Sequence, residues 1–155
     1  MGSYYQYLRK NVGQYPLLLP GSCIILYNAE RNEVLLQKRD DGEWGLPGGL
    51  MELGERFEET AVREMKEETG VALDPAELQL FNVFSGEDYF VTAPNGDPYY
   101  AVTALYTALD PEQPLSEGDE ETEALDWFKL DALPQNKRRN HAHFLTLFQK
   151  QQEEG

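Results

Sequence analysis

The chain has 155 residues, 41% of them apolar and 12% aromatic, which suits one domain around one core and excludes a disordered or fibrous chain. A formal net charge of −15 sets it against nucleic acid and anionic membrane, while leaving room for a small anionic substrate wherever metal ions mask local carboxylates. With the one cysteine Cys23, no signal-peptide apolar region and no run near the ~18 apolar residues of a membrane span, the expectation is a soluble cytoplasmic protein without an intrachain disulfide.

In chain order, Ser3 to Lys10 reads as a short amphipathic helix with Tyr4, Tyr5 and Leu8 on one side. Gly13, Pro16 and Pro20 punctuate the segment between this helix and the first strand. Ser22 to Tyr27 and Glu33 to Arg39 read as strands joined by NAERN, and Cys23 within CIILY reads as a small buried core residue. Arg39 to Gly54 is glycine-rich loop with a short extended piece around Leu46. From Arg56 to Thr69 the period becomes helical, with Phe57, Ala61 and Met65 at i, i+4, i+8, and Gly70 stands just past the helix end.

Gln79 to Ser85 reads as a strand. Tyr89 to Thr92 and Tyr99 to Ala108 read as hairpin arms around APNGDP, with Asn95-Gly96 as the turn. DPEQPLSEGDEETE is a polar acidic loop, Ala124 to Lys129 a last strand, and Asn140 to Gln151 a closing helix. There is no internal repeat and no regular βαβ alternation, so a mixed sheet packed between helices is expected rather than a doubly wound parallel fold.

Glu64, Glu67 and Glu68 fall at i, i+3, i+4 and therefore on one helix face. As plain surface they form a solvated acidic face, with Arg63 pairing Glu67 at i+4 and with Arg56 and Lys66 nearby. As a site they offer hard oxygen ligands, which suit Mg²⁺ or Mn²⁺; with no cysteine or histidine near them in sequence, zinc is a poor match. The opposite face is apolar and anchors the helix, and Gly48-Gly49 runs just ahead of it.

The stretch from Gly49 to Val71 matches a known spacing at every fixed position. It has Gly49, five residues, Glu55, seven residues, Arg63-Glu64-Met65, Lys66, Glu67-Glu68, Thr69 and Gly70-Val71. This is the pattern of the Nudix box, and the chain resembles the Nudix (MutT-like) hydrolase family over those 23 residues with nine fixed or class-restricted positions filled. LPGG, Leu46 to Gly49, is a frequent companion of that box. The order of strands and the closing helix extends the resemblance from about Gly21 to Phe148, within a single domain spanning 1–155 whose first 20 residues lie outside the family pattern.

The resemblance implies an α/β fold, an α/β/α sandwich around a mixed sheet. It also implies an enzyme that cuts a pyrophosphate bond in a nucleoside diphosphate linked to X, with Mg²⁺ or alternatively Mn²⁺. By the same resemblance Glu64, Glu67 and Glu68 ligate the metal and the Gly48 carbonyl adds a ligand. Arg63 pairs with Glu55 to hold loop against helix. Gly49 and Gly70 serve backbone geometry that a Cβ would hinder. The family often draws a further carboxylate from the loop before the last strand; Glu121 is the candidate ligand or general base, with Glu120 open beside it and a solvated acidic loop as the alternative.

Arg39 either touches phosphate or forms a surface ion pair, and Trp44 either stacks on a base or anchors the loop. At least half of Tyr89, Phe90, Tyr99 and Tyr100 are expected to cover sheet surface. His141 and His143, at i, i+2, receive no role, and Lys137-Arg138-Arg139 reads as a solvated helix start. The partner expected is a small nucleotide: ADP-ribose or another nucleotide sugar, a (d)NTP or a dinucleoside polyphosphate. The negative charge disfavours an RNA 5′ end, and the N-terminal helix offers a contact for a homodimer. A non-catalytic nucleotide-sensing module of the same fold would show lost carboxylates, and none is lost here; a calcium-binding loop of the D-x-[DN]-x-[DN]-G type is absent.

Overall fold

The structure, a computed structural model, describes residues 3–93, 95–116, 120 and 122–155. Its central element is strand β1 (Leu17–Asn28), which pairs in parallel with β7 (Pro98–Leu109) from Leu17 opposite Tyr99 to Tyr27 opposite Leu109. The other edge of β1 is shared. β4 (Gly48–Leu50) lies antiparallel beside Gly21 to Cys23, and β2 (Glu33–Arg39) pairs with Tyr27 and Asn28. Between them the sheet forks, and the Leu46–Gly49 loop fills the fork, with Ile24 N–H donating to Pro47 O at 3.0 Å. β3 (Trp44–Gly45) and β8 (Thr122–Lys129) flank β2; β5 (Gln79–Phe84) and β6 (Phe90–Thr92) flank β7.

Successive residues of β1 face opposite sides, and both sides are covered, which is why this strand is an unbroken apolar run. Cys23 and Ile25 pack with Leu36, Leu46, Phe84 and Leu105 under α3 (Arg139–Glu154), through Phe144, Leu145 and Phe148. Ile24 and Leu26 pack with Leu35, Ala104 and Tyr106 under α2 (Phe57–Thr69), through Ala61 and Met65. Met65 has no exposure, so truncating it to alanine costs about 2–5 kcal/mol. The expected α/β/α sandwich around a mixed sheet is therefore present. Among the described residues no helix is long and apolar enough to cross a membrane.

Two departures from the sequence reading have local causes. β1 begins at Leu17 and carries Pro20 inside it; the Pro20 carbonyl accepts from Met51 N–H at 2.9 Å, so the residue is paired on the loop side despite lacking its own donor. The glycine-rich segment contains two short strands, β3 and β4, rather than one extended piece around Leu46. The N-terminal helix α1 runs over Tyr4–Val12 and opens on a capping box made by Ser3 and Gln6.

Candidate functional site

Helix α2 starts where Arg56 N–H donates to Glu59 at 2.8 Å and stops at Gly70, whose φ of 80° favours glycine. It packs its apolar face on β1, so its opposite edge, carrying Arg63, Glu64, Glu67 and Glu68, looks back at β4 and the loop beyond it.

Arg63 organises that edge. Its Nε and Nη2 donate to the two carboxylate oxygens of Glu55 at 2.6 and 3.0 Å, its Nη1 to Glu64 Oε1 at 2.7 Å, and Nη2 also to Leu50 O at 3.0 Å. Glu67 is more distant, at 3.4 Å, and its side chain is 51% exposed. Glu55 is anchored further by Glu52 N–H at 2.9 Å and the Thr60 hydroxyl at 2.9 Å. One guanidinium thus fixes the loop carboxylate, a helix carboxylate and the end of β4 together.

Glu68 points the other way and is buried. Its Oε1 accepts from Gly48 N–H at 2.8 Å, and its Oε2 lies 3.4 Å from Arg39 Nη1. Arg39 Nη2 also donates to Gly48 O at 3.3 Å. So the carbonyl of Gly48 and the carboxylate of Glu68 share one cation from β2. Gly49 permits the approach of helix to loop: a Cβ there would meet the Glu64 carboxyl at 2.5 to 2.8 Å.

The electrostatics follow the contacts. The Arg63 hydrogen bond holds the Glu55 carboxyl down to about 2, and Glu55 in turn raises the pKa of Arg63. Burial pushes Glu64 up to about 7, with Glu67 adding to the rise and Arg63 only partly offsetting it. Burial therefore disfavours the ionised form of Glu64.

A cleft of about 610 Å³ opens over this edge. Gly48, Gly49, Glu64, Glu68 and Arg39 line it. Glu55, Arg63 and Glu67 do not line it and reach it through the contacts of Arg63 with Glu64. Among the described residues no three acidic, cysteine or histidine side chains converge as a ready-made metal cage, since Glu64 and Glu67 are turned onto Arg63. The donor chemistry nevertheless fits a hard divalent cation: the Glu64 and Glu68 carboxylates line the cleft together with Gly48, whose carbonyl is a further oxygen donor.

Glu121 lies outside the described residues, and its neighbour Glu120 is exposed. Trp44 does not line the cleft; it packs edge-on against Phe128, ring centroids 4.8 Å apart, and ties the β8–α3 connection through Asn136 O and Arg138 N–H. This is the loop-anchoring alternative left open by the sequence.

Three residues that sequence reasoning set aside are part of the cleft: Arg138, Arg139 and His141. Arg138 is held by Asp41 at 2.9 Å, and Arg139 donates to Asp88 O at 2.5 Å. His141 accepts the Leu46 N–H at Nδ1 at 2.8 Å, which leaves Nε2 to carry the proton, 3.7 Å from Cys23 Sγ. Packing around the ring, with Arg39 and Arg138 close by, pushes its pKa down to about 3. Histidine and cysteine are thus near the site in space although not in sequence. The His141 Nδ1 is already occupied by backbone, and burial pushes the Cys23 thiol up to about 12, so neither is offered to a metal as it stands.

A family profile described as NUDIX domain matches residues 17–148. The chain is 39% identical over 132 residues to the ADP-ribose pyrophosphatase of Methanocaldococcus jannaschii, covering 81% of this chain and 72% of that protein. It is 35% identical over 121 residues to putative nudix hydrolase 1 of Caenorhabditis elegans, covering 75% of this chain but only 30% of that longer protein. Among solved structures, the MutT NUDIX hydrolase from Burkholderia pseudomallei superposes with a TM-score of 0.70 at 30% identity, covering 83% of this chain and 96% of that one.

Proposed function

From the premise that the chain belongs to the NUDIX domain family of hydrolases, we propose that it cuts the pyrophosphate bond of a small nucleoside diphosphate linked to a second group, with Mg²⁺ as the metal. The observation that carries the proposal is the double grip of Arg63 on Glu55 and Glu64 beside a buried Glu68, all at one edge of a cleft large enough for a nucleotide.

Glu64, Glu67, Glu68 and the Gly48 carbonyl would hold the metal. When bound, it would neutralise diphosphate charge and favour an attacking hydroxide. The remaining work belongs to the chain. Arg63, itself fixed by Glu55, holds Glu64 beside the glycine loop, so Glu64 and Glu67 have only to turn from the guanidinium to reach a cation. The Gly48 N–H fixes one oxygen of Glu68. Arg39, Arg138 and Arg139 place three guanidinium groups around the cleft in a chain of net charge −15, and there they attract the substrate's phosphates. A water that attacks phosphorus must lose a proton, and Glu121 or Glu120 is the carboxylate we assign to it.

The substrate class is taken from the M. jannaschii relative: a nucleotide sugar such as ADP-ribose is placed first, ahead of dNTPs and dinucleoside polyphosphates. The test is incubation with Mg²⁺ and a panel of ADP-ribose, NADH, diadenosine polyphosphates, dNTPs and sugar nucleotides, with products separated by chromatography and Glu67→Gln as control. Cleavage of one compound at its pyrophosphate, lost in the control, supports the proposal. Binding of a nucleotide with no cleavage of any compound would replace it with a sensing role.

A further inference from the structure

The residues before 17 lie outside the family match, yet they build one wall of the cleft. Ser3 and Tyr5 line it, together with Phe90, Thr92 and Tyr99 from the β6–β7 hairpin. We propose that α1 supplies the subsite for the planar base of the substrate, with the Tyr5 ring as its stacking platform. This inference rests on the reading of the cleft as a nucleotide site.

The Tyr5 ring is held before any ligand arrives. Its hydroxyl donates to Asp97 Oδ2 at 2.8 Å, at the far end of the hairpin. Arg9 Cζ sits over the ring 5.4 Å from its centroid, and Arg9 Nε is 3.4 Å from Asp97 Oδ2. The same Arg9 donates to Pro98 O, Gly13 O and Tyr15 O, so the helix, the turn after it and the hairpin are stapled by one side chain. An aromatic ring with its rotamer fixed at both hydroxyl and face loses little entropy when a base stacks on it. Stacking is tolerant of base identity, because every base presents a π-face.

The position suits a substrate whose other end is a diphosphate. The N-terminus of α1 is bound to the carboxylate loop itself: Tyr4 N–H donates to Glu52 Oε1 at 3.0 Å, and Glu52 N–H donates to Glu55, the partner of Arg63. Loop, α1 and hairpin are therefore tied into one continuous frame, and Tyr5, Glu64 and Glu68 line the same cleft. With no buried residue in α1, its placement against the domain comes from these polar ties rather than from core packing.

The test is calorimetric binding, in Mg²⁺, of the non-cleavable α,β-methylene-ADP and of methylenediphosphonate, which carries the same diphosphate without a nucleoside. Tyr5→Ala is expected to weaken the nucleotide by about tenfold and leave methylenediphosphonate within about twofold, while Tyr5→Phe, which keeps the ring and loses the Asp97 bond, stays near wild type on both. If Tyr5→Phe weakens the nucleotide as much as Tyr5→Ala, or if both ligands weaken equally, α1 is a brace and the base subsite is overturned; so it is if Tyr5→Ala binds normally. A wild type that binds the analogue and cleaves nothing on the substrate panel overturns the hydrolytic reading alone, and one that binds no nucleotide overturns both.

Discussion

The guanidinium of Arg63 grips both carboxylate oxygens of Glu55, at 2.6 and 3.0 Å, across the junction of loop and helix. Because the same group reaches Glu64 at 2.7 Å, the pair acts on the site through the placement of Glu64. Arg63→Lys cannot reproduce a planar fork with three acceptors. It is expected to lower kcat by about 10- to 100-fold and to raise the Mg²⁺ concentration needed for half-maximal activity, with the fold intact by circular dichroism. A variant with unchanged kcat would show that the grip is only structural.

The Glu55 carboxyl is held at about 2 against an ordinary 4.5, a lowered value in the folded state. Its contribution to stability is therefore complete above pH ~4.5 and disappears as pH falls toward ~2. After allowance for solvent screening it amounts to about 1 kcal/mol. Thermal melts of the wild type and Glu55→Gln should differ most above pH 5 and converge near pH 2; parallel curves across that range would contradict the assignment.

His141 carries the opposite charge logic. Its pKa in the folded chain is about 3, below the ordinary 6.5, so the unfolded chain takes up a proton that the folded one refuses. The stability it confers is present above pH ~6.5 and is lost as pH falls from there toward ~3. Nitrogen–proton correlation spectra should show His141 neutral with the proton on Nε2 at pH 5, while the exposed His143 gives a separate signal. His141→Ala would leave the Leu46 N–H without its acceptor, and a loss of about 1–3 kcal/mol is expected in denaturant unfolding.

Gly49 separates folding from function. A methyl at this position would meet the Glu64 carboxyl at 2.5 Å, the movable end of a side chain, so the chain should still fold. Displacing that carboxyl disturbs the site directly. Gly49→Ala is expected to melt within a few degrees of wild type and to lose most of its turnover. Normal turnover would mean that the position of Glu64 is not limiting.

How much of the fold and site was legible depends on sequence separation. The carboxylate edge was readable because the loop and helix that build it are contiguous, from Gly49 to Val71, and their periodicity and spacing survive without tertiary information. The hairpin was readable from Asn95-Gly96, which lies in the connection between β6 and β7, although that connection is longer than a two-residue turn and Gly96 N–H donates to Ala93 O. The start of β1 was not, because Pro20 looks like punctuation until the Met51 N–H is seen to donate to its carbonyl. Nor was the distal half of the cleft. His141 meets Leu46 across 95 positions, and Tyr5 meets Asp97 across 92. Nothing in the local pattern of NHAHF or SYYQYL encodes a contact at such range. Arg138 and Arg139 read as solvated for the same reason: the cleft they line is made by segments far from them in the chain.

The most direct test of the central claim is phosphorus NMR of ADP-ribose incubated with the wild type and Mg²⁺, run beside Glu67→Gln. The account predicts that the two coupled diphosphate resonances give way to two phosphomonoester signals, and that the Glu67→Gln sample retains the diphosphate at least about 100-fold longer. A diphosphate that persists in the wild type, here and with the other nucleotides of the panel under any divalent metal, would contradict the reading of this carboxylate edge as a hydrolytic centre.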